Sequence, residues 1–194
     1  RQVGGGARGA ALSSGVDGVW LAIVLGLVVA VVVGGLAEPL CAAIGATPAV
    51  LAEATIYLRI SAIGLPAMLV ALAATGALRG LQDTRTPLIA AVAGFGANLV
   101  LNLWFVLGLG WGIAGSAWGT VIAQTAMAAA LVVVLIRLAG REHARLRPHP
   151  HRVLAAARTG VPLLIRTLAL RAVILVTTWV AAGGASVPSI HALS

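Results

Sequence analysis

Five stretches of this chain, residues 19–37, 56–78, 88–109, 113–136 and 161–182, are each about twenty residues of nearly unbroken apolar sequence. The hydrocarbon core of a bilayer is about 30 Å thick and takes roughly 20 residues of α-helix to cross. Lipid supplies no hydrogen-bond partner for backbone N–H and C=O groups, so a spanning segment must satisfy them internally. The runs lack the apolar–polar alternation of barrel strands, which leaves helices. The expected fold class is therefore all-α, a polytopic membrane helix bundle. A hydrophobic fraction of 60% over 194 residues, with a mean hydropathy of +1.06, agrees.

Charge placement then sets the topology. All 13 basic residues are arginines and the formal net charge is +8, a balance that in a soluble protein would suggest nucleic acid. Here the arginines collect in alternate connections: Arg1 and Arg8 before the first run, Arg79 and Arg85 between the second and third, and Arg137, Arg141, Arg145, Arg147, Arg152 and Arg158 between the fourth and fifth. Residues 38–55 and 108–112 carry no arginine outside the runs. This is the positive-inside pattern, which puts the arginine-bearing connections in the cytoplasm and makes the lipid bilayer, not nucleic acid, the partner. Residues 1–18, rich in Gly, Ala and Ser, read as the remnant of a cytoplasmic loop, and residues 137–160 as a cytoplasmic linker. Because residue 1 is Arg, the chain reads as a piece of a longer protein.

The polar cluster R-G-L-Q-D-T-R-T-P at 79–87 interrupts two runs. Gly80 is the expected C-terminal cap of the helix before it, with the cation Arg79 in the last turn; Thr86 and Pro87 are the expected N-cap and first position of the helix after it. Asp83, between Arg79 and Arg85, is expected to form a local ion pair. Pro66, inside the second run, removes one helical hydrogen bond and favours a kink.

Polar side chains inside the runs are the candidate site. Gly94, Asn98 and Asn102 recur every four residues along one helical stripe, and Ser116, Thr120 and Gln124 do the same in the next run. Residues 108–112 form a connection short enough to make these two helices antiparallel neighbours. The stripes either hydrogen-bond across the interface, each bond worth about 0.6–2 kcal/mol, or line a water-accessible cavity. Ser61, Leu65, Met68, Leu72 and Thr75 share a face of the second run, where Met68 is either packing or a cargo contact. Arg59 lies where it can snorkel to the interface; Arg171 is deeper and needs a partner. One cysteine, Cys41, excludes an internal disulfide, and His149 and His151, without a nearby acidic cluster, do not make a metal site. The five acidic residues Asp17, Glu38, Glu53, Asp83 and Glu142 are scattered, which disfavours an intramembrane enzyme.

Y-L-R-I-S-A-I-G-L-P-A (57–67), L-R-G-L-Q-D-T-R-T-P (78–87), G-L-G-W-G-I-A-G-S-A-W-G-T-V-I-A-Q (108–124) and L-I-R-T-L-A-L-R (164–171) together resemble the multidrug and toxic compound extrusion (MATE) family, in its bacterial DinF-like branch. The resemblance implies five transmembrane helices of an expected twelve: residues 19–136 as four helices of the amino-terminal half, and 161–194 as the first helix of the carboxy-terminal half. It implies a fragment of a secondary active exporter in a bacterial plasma membrane. Such a protein exchanges amphiphilic organic compounds for H+ or Na+ by alternating access and uses no other cofactor. The missing helices of the same transporter would be its partners. Asn98, Asn102, Thr120, Gln124 and Met68 would line the cargo cavity, and Asn102 stands where many relatives carry a second acid, so it cannot carry a coupling proton there. The alternatives are a lipid-linked precursor flippase, which would need an arginine-lined cavity, or a truncated chain inactive by itself.

Overall fold

The computed structural model describes residues 3–43 and 48–142 together with the helical positions Ala169, Leu170, Val173 and Thr177. The chain divides into two compact units, Arg1–Val153 and Leu154–Ser194. Among the described residues the first holds five α-helices: α1 (Val3–Gly35), α2 (Ala37–Ala43), α3 (Pro48–Gly80), α4 (Arg85–Leu103) and α5 (Gly112–Arg141), with a π-helical turn at Trp104–Gly108 continuing α4. In the second, Thr177 Oγ donates to the Val173 carbonyl one turn back. Arg166, Arg171, His143, His149, His151, His191 and most of the fifth expected span lie outside the described residues.

Among the described residues four helical segments are long and apolar enough to cross a membrane: Arg8–Gly35, Val50–Gly80, Arg85–Gly108 and Gly112–Arg141. At 1.5 Å per residue each reaches or exceeds the hydrocarbon thickness. Helix α1 corrects the reading of residues 1–18 as a loop, because it is helical from Val3. Its glycines weaken intrinsic propensity, but Leu12, Val16, Val19 and Ile23, spaced by three and four, turn one apolar ridge into the core. Ser13 and Ser14 hydroxyls fold back onto the Gly9 and Ala10 carbonyls. Similarly, α5 continues past residue 136 to Arg141, so the first residues of the expected linker are helical.

The core is a slab of small and branched residues from three helices. Leu12, Val16 and Val19 of α1 meet Ala71, Ala74 and Leu78 of α3 and Ala128, Leu131 and Leu135 of α5. Helix α3 packs against both α1 and α5, whereas α4 packs on α5 and scarcely touches α3. Glycines report the register. A Cβ on Gly15 would lie 2.7 Å from the Ala77 Cβ, and one on Gly26 would lie 2.5 Å from the Pro66 Cα, so α1 and α3 are antiparallel and almost in backbone contact. Helix α3 is continuous through Pro66, and Gly26 is what lets α1 lie directly against that residue. A Cβ on Gly94 would lie 2.9 Å from Met127 Sδ and one on Gly119 would lie 3.2 Å from the Asn102 backbone nitrogen, which makes α4 and α5 antiparallel as the short connection predicts.

This arrangement collects Arg8, Arg79, Arg85, Arg137 and Arg141 at one end of the bundle and Glu38, Glu53 and Arg59 at the other. At the second end Arg59 reaches Glu38 at 3.9 Å with both side chains mostly exposed, an ion pair worth no more than about 1 kcal/mol.

The connection at 79–87 is built differently from its expected form. The Asp83 N–H donates to the Leu78 carbonyl and the Gln82 N–H to the Arg79 carbonyl, the paired bonds of a Schellman motif with its left-handed residue at Gln82, φ +65°. Gly80 is thus the last helical residue of α3 rather than its left-handed cap. Helix α4 begins at Arg85, with Thr84 at the N-cap making no side-chain cap bond. The capping oxygen comes from Asp83, which accepts from the Thr86 N–H at 3.0 Å and the Thr86 hydroxyl at 2.6 Å. Thr86 therefore donates to the cap rather than forming it, and Pro87, in the first turn and buried, loses no helical bond because that N–H would be orphaned anyway. Among the described residues no ion pair within 4.0 Å links Asp83 to Arg79 or Arg85. The two Thr86 bonds, hydroxyl first, hold the Asp83 carboxyl below its ordinary pKa.

Candidate functional site

The bundle's polar interior lies where α5 runs between α3 and α4. A cavity of about 220 Å³ opens there, lined by Met68 of α3, Gly94, Phe95 and Asn98 of α4, and Ala123, Gln124 and Met127 of α5. Three of the five residues expected to line a cargo cavity, Met68, Asn98 and Gln124, are brought together. Gly94 opens the space and is filled from the other side by Met127. Gly64 makes room for Gln124: a Cβ there would approach Oε1 to 3.1 Å and Val121 Cγ2 to 3.2 Å.

Asn102 and Thr120 are absent from this wall. Asn102 donates through Nδ2 to Asn98 Oδ1, one turn earlier on the same helix, and its own side chain lies over Gly119, where a Cβ would come within 3.2 Å of Oδ1. That Oδ1 is buried and accepts no hydrogen bond among the described residues. The Thr120 hydroxyl folds back to the Ser116 carbonyl at 3.0 Å, and the Thr125 hydroxyl to Val121 at 2.7 Å. The stripe on α5 thus spends the Thr120 hydroxyl on its own backbone, as the neighbouring Thr125 does off the stripe, and places only Gln124 at the cavity. The Asn98–Asn102 bond runs along α4 rather than across to α5, so neither outcome expected of the two stripes is met in full. One amide pair braces its own helix, and one edge of the pair borders open space.

Met127 and Phe95 also line the cavity. Met127 sits three residues after Gln124 on the same face of α5, a spacing the sequence displays. Phe95 lies beside Gly94 and is 74% exposed, so its position at the cavity rim follows from how little of α4 the neighbouring helices cover. Two sulfurs, an aromatic edge and two neutral amides make a wall that is adaptable and apolar with a few fixed polar atoms. None of the seven lining residues is ionisable, and no group of three or more metal-ligating side chains occurs among the described residues.

Toward the acidic end, α4 gives way to the π-helical turn, closed by the Leu109 N–H on the Trp104 carbonyl at 2.9 Å. The extra residue in that turn lets Trp104, Phe105 and Trp111 stack, with ring centroids 5.5 and 5.2 Å apart. Gly115 permits this: a Cβ would stand 3.0 Å from the Cβ atoms of both Phe105 and Trp111. Gly110 and Gly112 carry the positive φ angles, +67° and +55°, that turn the chain into α5.

These features agree with the proteins that the chain resembles. The MatE family profile matches residues 1–104. Protein DETOXIFICATION 43 of Arabidopsis thaliana is 40% identical over 119 residues, 60% of this chain and 23% of that protein. Protein DETOXIFICATION 44, chloroplastic, of the same plant is 52% identical over 68 residues, 35% of this chain and 13% of that protein. DNA damage-inducible protein F of Escherichia coli strain K12 is 41% identical over 83 residues, 43% of this chain and 18% of that protein. The matched regions thus span less than a quarter of these curated relatives. Among solved structures, a MATE protein in a bent conformation superposes with a TM-score of 0.72 at 19% identity, over 87% of this chain and 43% of that one. An inward-facing multidrug resistance MATE family transporter of the MOP superfamily gives 0.63 at 21% identity, over 80% and 41%. With the profile covering more than half its length and the same helix arrangement in both solved folds, the chain belongs to the MatE family of multi-pass membrane proteins.

Proposed function

We propose that this chain is part of a secondary active exporter that moves amphiphilic organic compounds across a bacterial plasma membrane, exchanging them for H+ or Na+. The observation that carries the reading is the convergence of Met68, Asn98, Gln124 and Met127 on one cavity between three spanning helices. Flexible thioethers accommodate varied apolar bodies, and two amides offer donors and acceptors without fixing a charge. Binding of this kind is loose, which suits a carrier that must release its cargo. The family likeness supports transport over catalysis.

Since the cavity wall has no ionisable group, cargo charge and coupling ion are balanced elsewhere in the transporter or by neutral oxygens such as Asn102 Oδ1. Alternating access would move the walls of this cavity relative to one another around a binding point near the membrane's middle. Lipid-linked pyrophosphate is a poorer fit, because the cavity presents no guanidinium.

The test replaces Asn98 and Gln124 with Ala in the full transporter and measures efflux of a fluorescent organic cation from cells, with membrane abundance determined in parallel. A loss of efflux of about tenfold at unchanged abundance is expected, equivalent to about 1.4 kcal/mol of binding or barrier. Efflux equal to wild type in the double variant would overturn the assignment of this cavity.

A further inference from the structure

Helices α1 and α5 leave a second groove on the opposite side of α5 from the cargo cavity. It measures about 270 Å³ and is lined by Val16, Val19, Trp20 and Ile23 of α1 and Val132, Leu135 and Ile136 of α5. The groove is lined by apolar side chains and open along one side; Trp20 stands at its edge, 43% exposed.

The groove ends at the arginine-rich face of the bundle. Gly15 is level with Leu135, and Gly9 with Glu142, whose carbonyl would lie 3.9 Å from a Cβ at Gly9. On these antiparallel helices Arg8, one residue before Gly9, lies about 12 Å past the lining residue Val16, and Arg141, one residue before Glu142, about 8 Å past Ile136, so the two differ in height by about 3 Å. Arg137 follows the lining residue Ile136 directly, and all three guanidinium side chains are exposed. None has a carboxylate within 4.0 Å among the described residues. Glu142 is exposed beside them and Asp17 is buried on α1. Three arginines against Glu142 leave this mouth net positive.

We propose that the α1–α5 groove is a binding site for an anionic phospholipid of the leaflet on the arginine side, one acyl chain lying along Val16, Val19, Trp20, Ile23, Val132 and Ile136. The phosphate sits among Arg8, Arg137 and Arg141. An apolar slot alone would take any acyl chain, and basic residues alone would attract any anion. Their succession along one helix pair selects a molecule with an apolar tail and a negative head. Arginine is suited to the head because its planar fork binds phosphate oxygens bidentately. The site is separate from the cargo cavity and stands whether or not the cargo assignment holds.

The experiment uses the full protein in nanodiscs of phosphatidylcholine doped with either dibrominated phosphatidylglycerol or dibrominated phosphatidylcholine, the bromines on the acyl chains. The Trp20 signal is the fluorescence difference between wild type and Trp20→Phe. Phosphatidylglycerol should quench Trp20 at a mole fraction at least about fivefold lower than phosphatidylcholine, the preference of roughly one arginine near a membrane surface. R8Q/R137Q/R141Q should abolish that preference while leaving quenching by phosphatidylcholine in place, and Val132→Phe, which fills the groove, should weaken quenching by both lipids. If the triple variant does not insert, R137Q alone should lower the preference. Equal quenching by the two lipids, or a preference that survives the arginine replacements, would overturn the proposal.

Discussion

The α1–α3 and α4–α5 seams use the same device to opposite ends. Both depend on glycines that admit a neighbouring helix to near-backbone distance: Gly15 and Gly26 in the first, Gly94, Gly115 and Gly119 in the second. In the first seam the opposing atoms are Ala77 and Pro66, rigid and apolar, and the packing is tight at both points. In the second they are Met127, Phe105 and Asn102, and the result is a cavity with amides at its edge. Small residues decide how closely helices approach. What faces them decides whether the seam is a joint or a site. In lipid, where apolar surfaces gain little by meeting one another, this division is expected, because close van der Waals contact and polar groups are the remaining sources of association.

The difference can be attacked at its stiffest point first. Gly26→Val drives two methyls into the Pro66 backbone, which as part of a continuous helix cannot step aside, and should cost about 3 kcal/mol, read as loss of the folded fraction in a denaturant titration in detergent micelles. A cost under about 1 kcal/mol would mean the α1–α3 seam is looser than described. The complementary change is Asn102→Leu. Leucine relieves the unsatisfied Asn102 Oδ1 but withdraws the donor to Asn98 Oδ1; these effects offset, so stability should change by less than about 1 kcal/mol, while export falls because the Asn98 amide at the cavity is no longer braced. A large loss of stability with unchanged export would make the second seam a joint as well.

The turn at 81–84 provides smaller effects. Asp83→Ala removes the acceptor of both Thr86 bonds and should cost about 1 kcal/mol. The pH dependence has a defined sign. Because the folded pKa lies below the ordinary value, the contribution is fully present above the unfolded carboxylate's pKa of about 4 and is lost as pH falls through the folded value. Wild type should therefore lose its advantage over Asp83→Asn progressively below about pH 4, and parallel stability curves across that range would contradict the cap. Smallest of all, Gln82→Gly should stabilise by a few tenths to about 1 kcal/mol, since a left-handed φ of +65° costs a side chain energy that glycine does not incur. Destabilisation there would argue against the Schellman geometry.

How much of this was legible in the sequence follows the same division. Long apolar runs announced the spanning parts of α1, α3, α4 and α5, and the five-residue connection announced the α4–α5 pairing. Helix ends were understated, because an apolar run measures what lipid covers while the helix continues into the interface. Residues 1–18 read as a loop on composition, although Leu12, Val16, Val19 and Ile23 display the ridge of a helix that begins at Val3. At the turn, glycine at position 80 drew the cap to itself; only backbone geometry shows that Gln82 takes the left-handed position. At the cavity, residue type and spacing single out Met68, Asn98 and Gln124, which line it. Asn102 and Thr120 share that spacing, yet the hydroxyl folds back to its own helix and the amide lies over Gly119, choices governed by rotamer and by the neighbour's backbone rather than by period.

Everything in the functional reading depends on whether the Met68–Asn98–Gln124 cavity is wet. Cysteines placed one at a time at Asn98 and Gln124, and as lipid-facing controls at Val92 and Leu99, with the buried Cys41 replaced by Ala, can be titrated with a charged thiosulfonate and with a lipid-soluble maleimide. The account predicts that the charged reagent modifies Asn98→Cys and Gln124→Cys at least about tenfold faster than the two controls, and that an exported organic cation slows it. Modification of all four positions by the maleimide alone would contradict it.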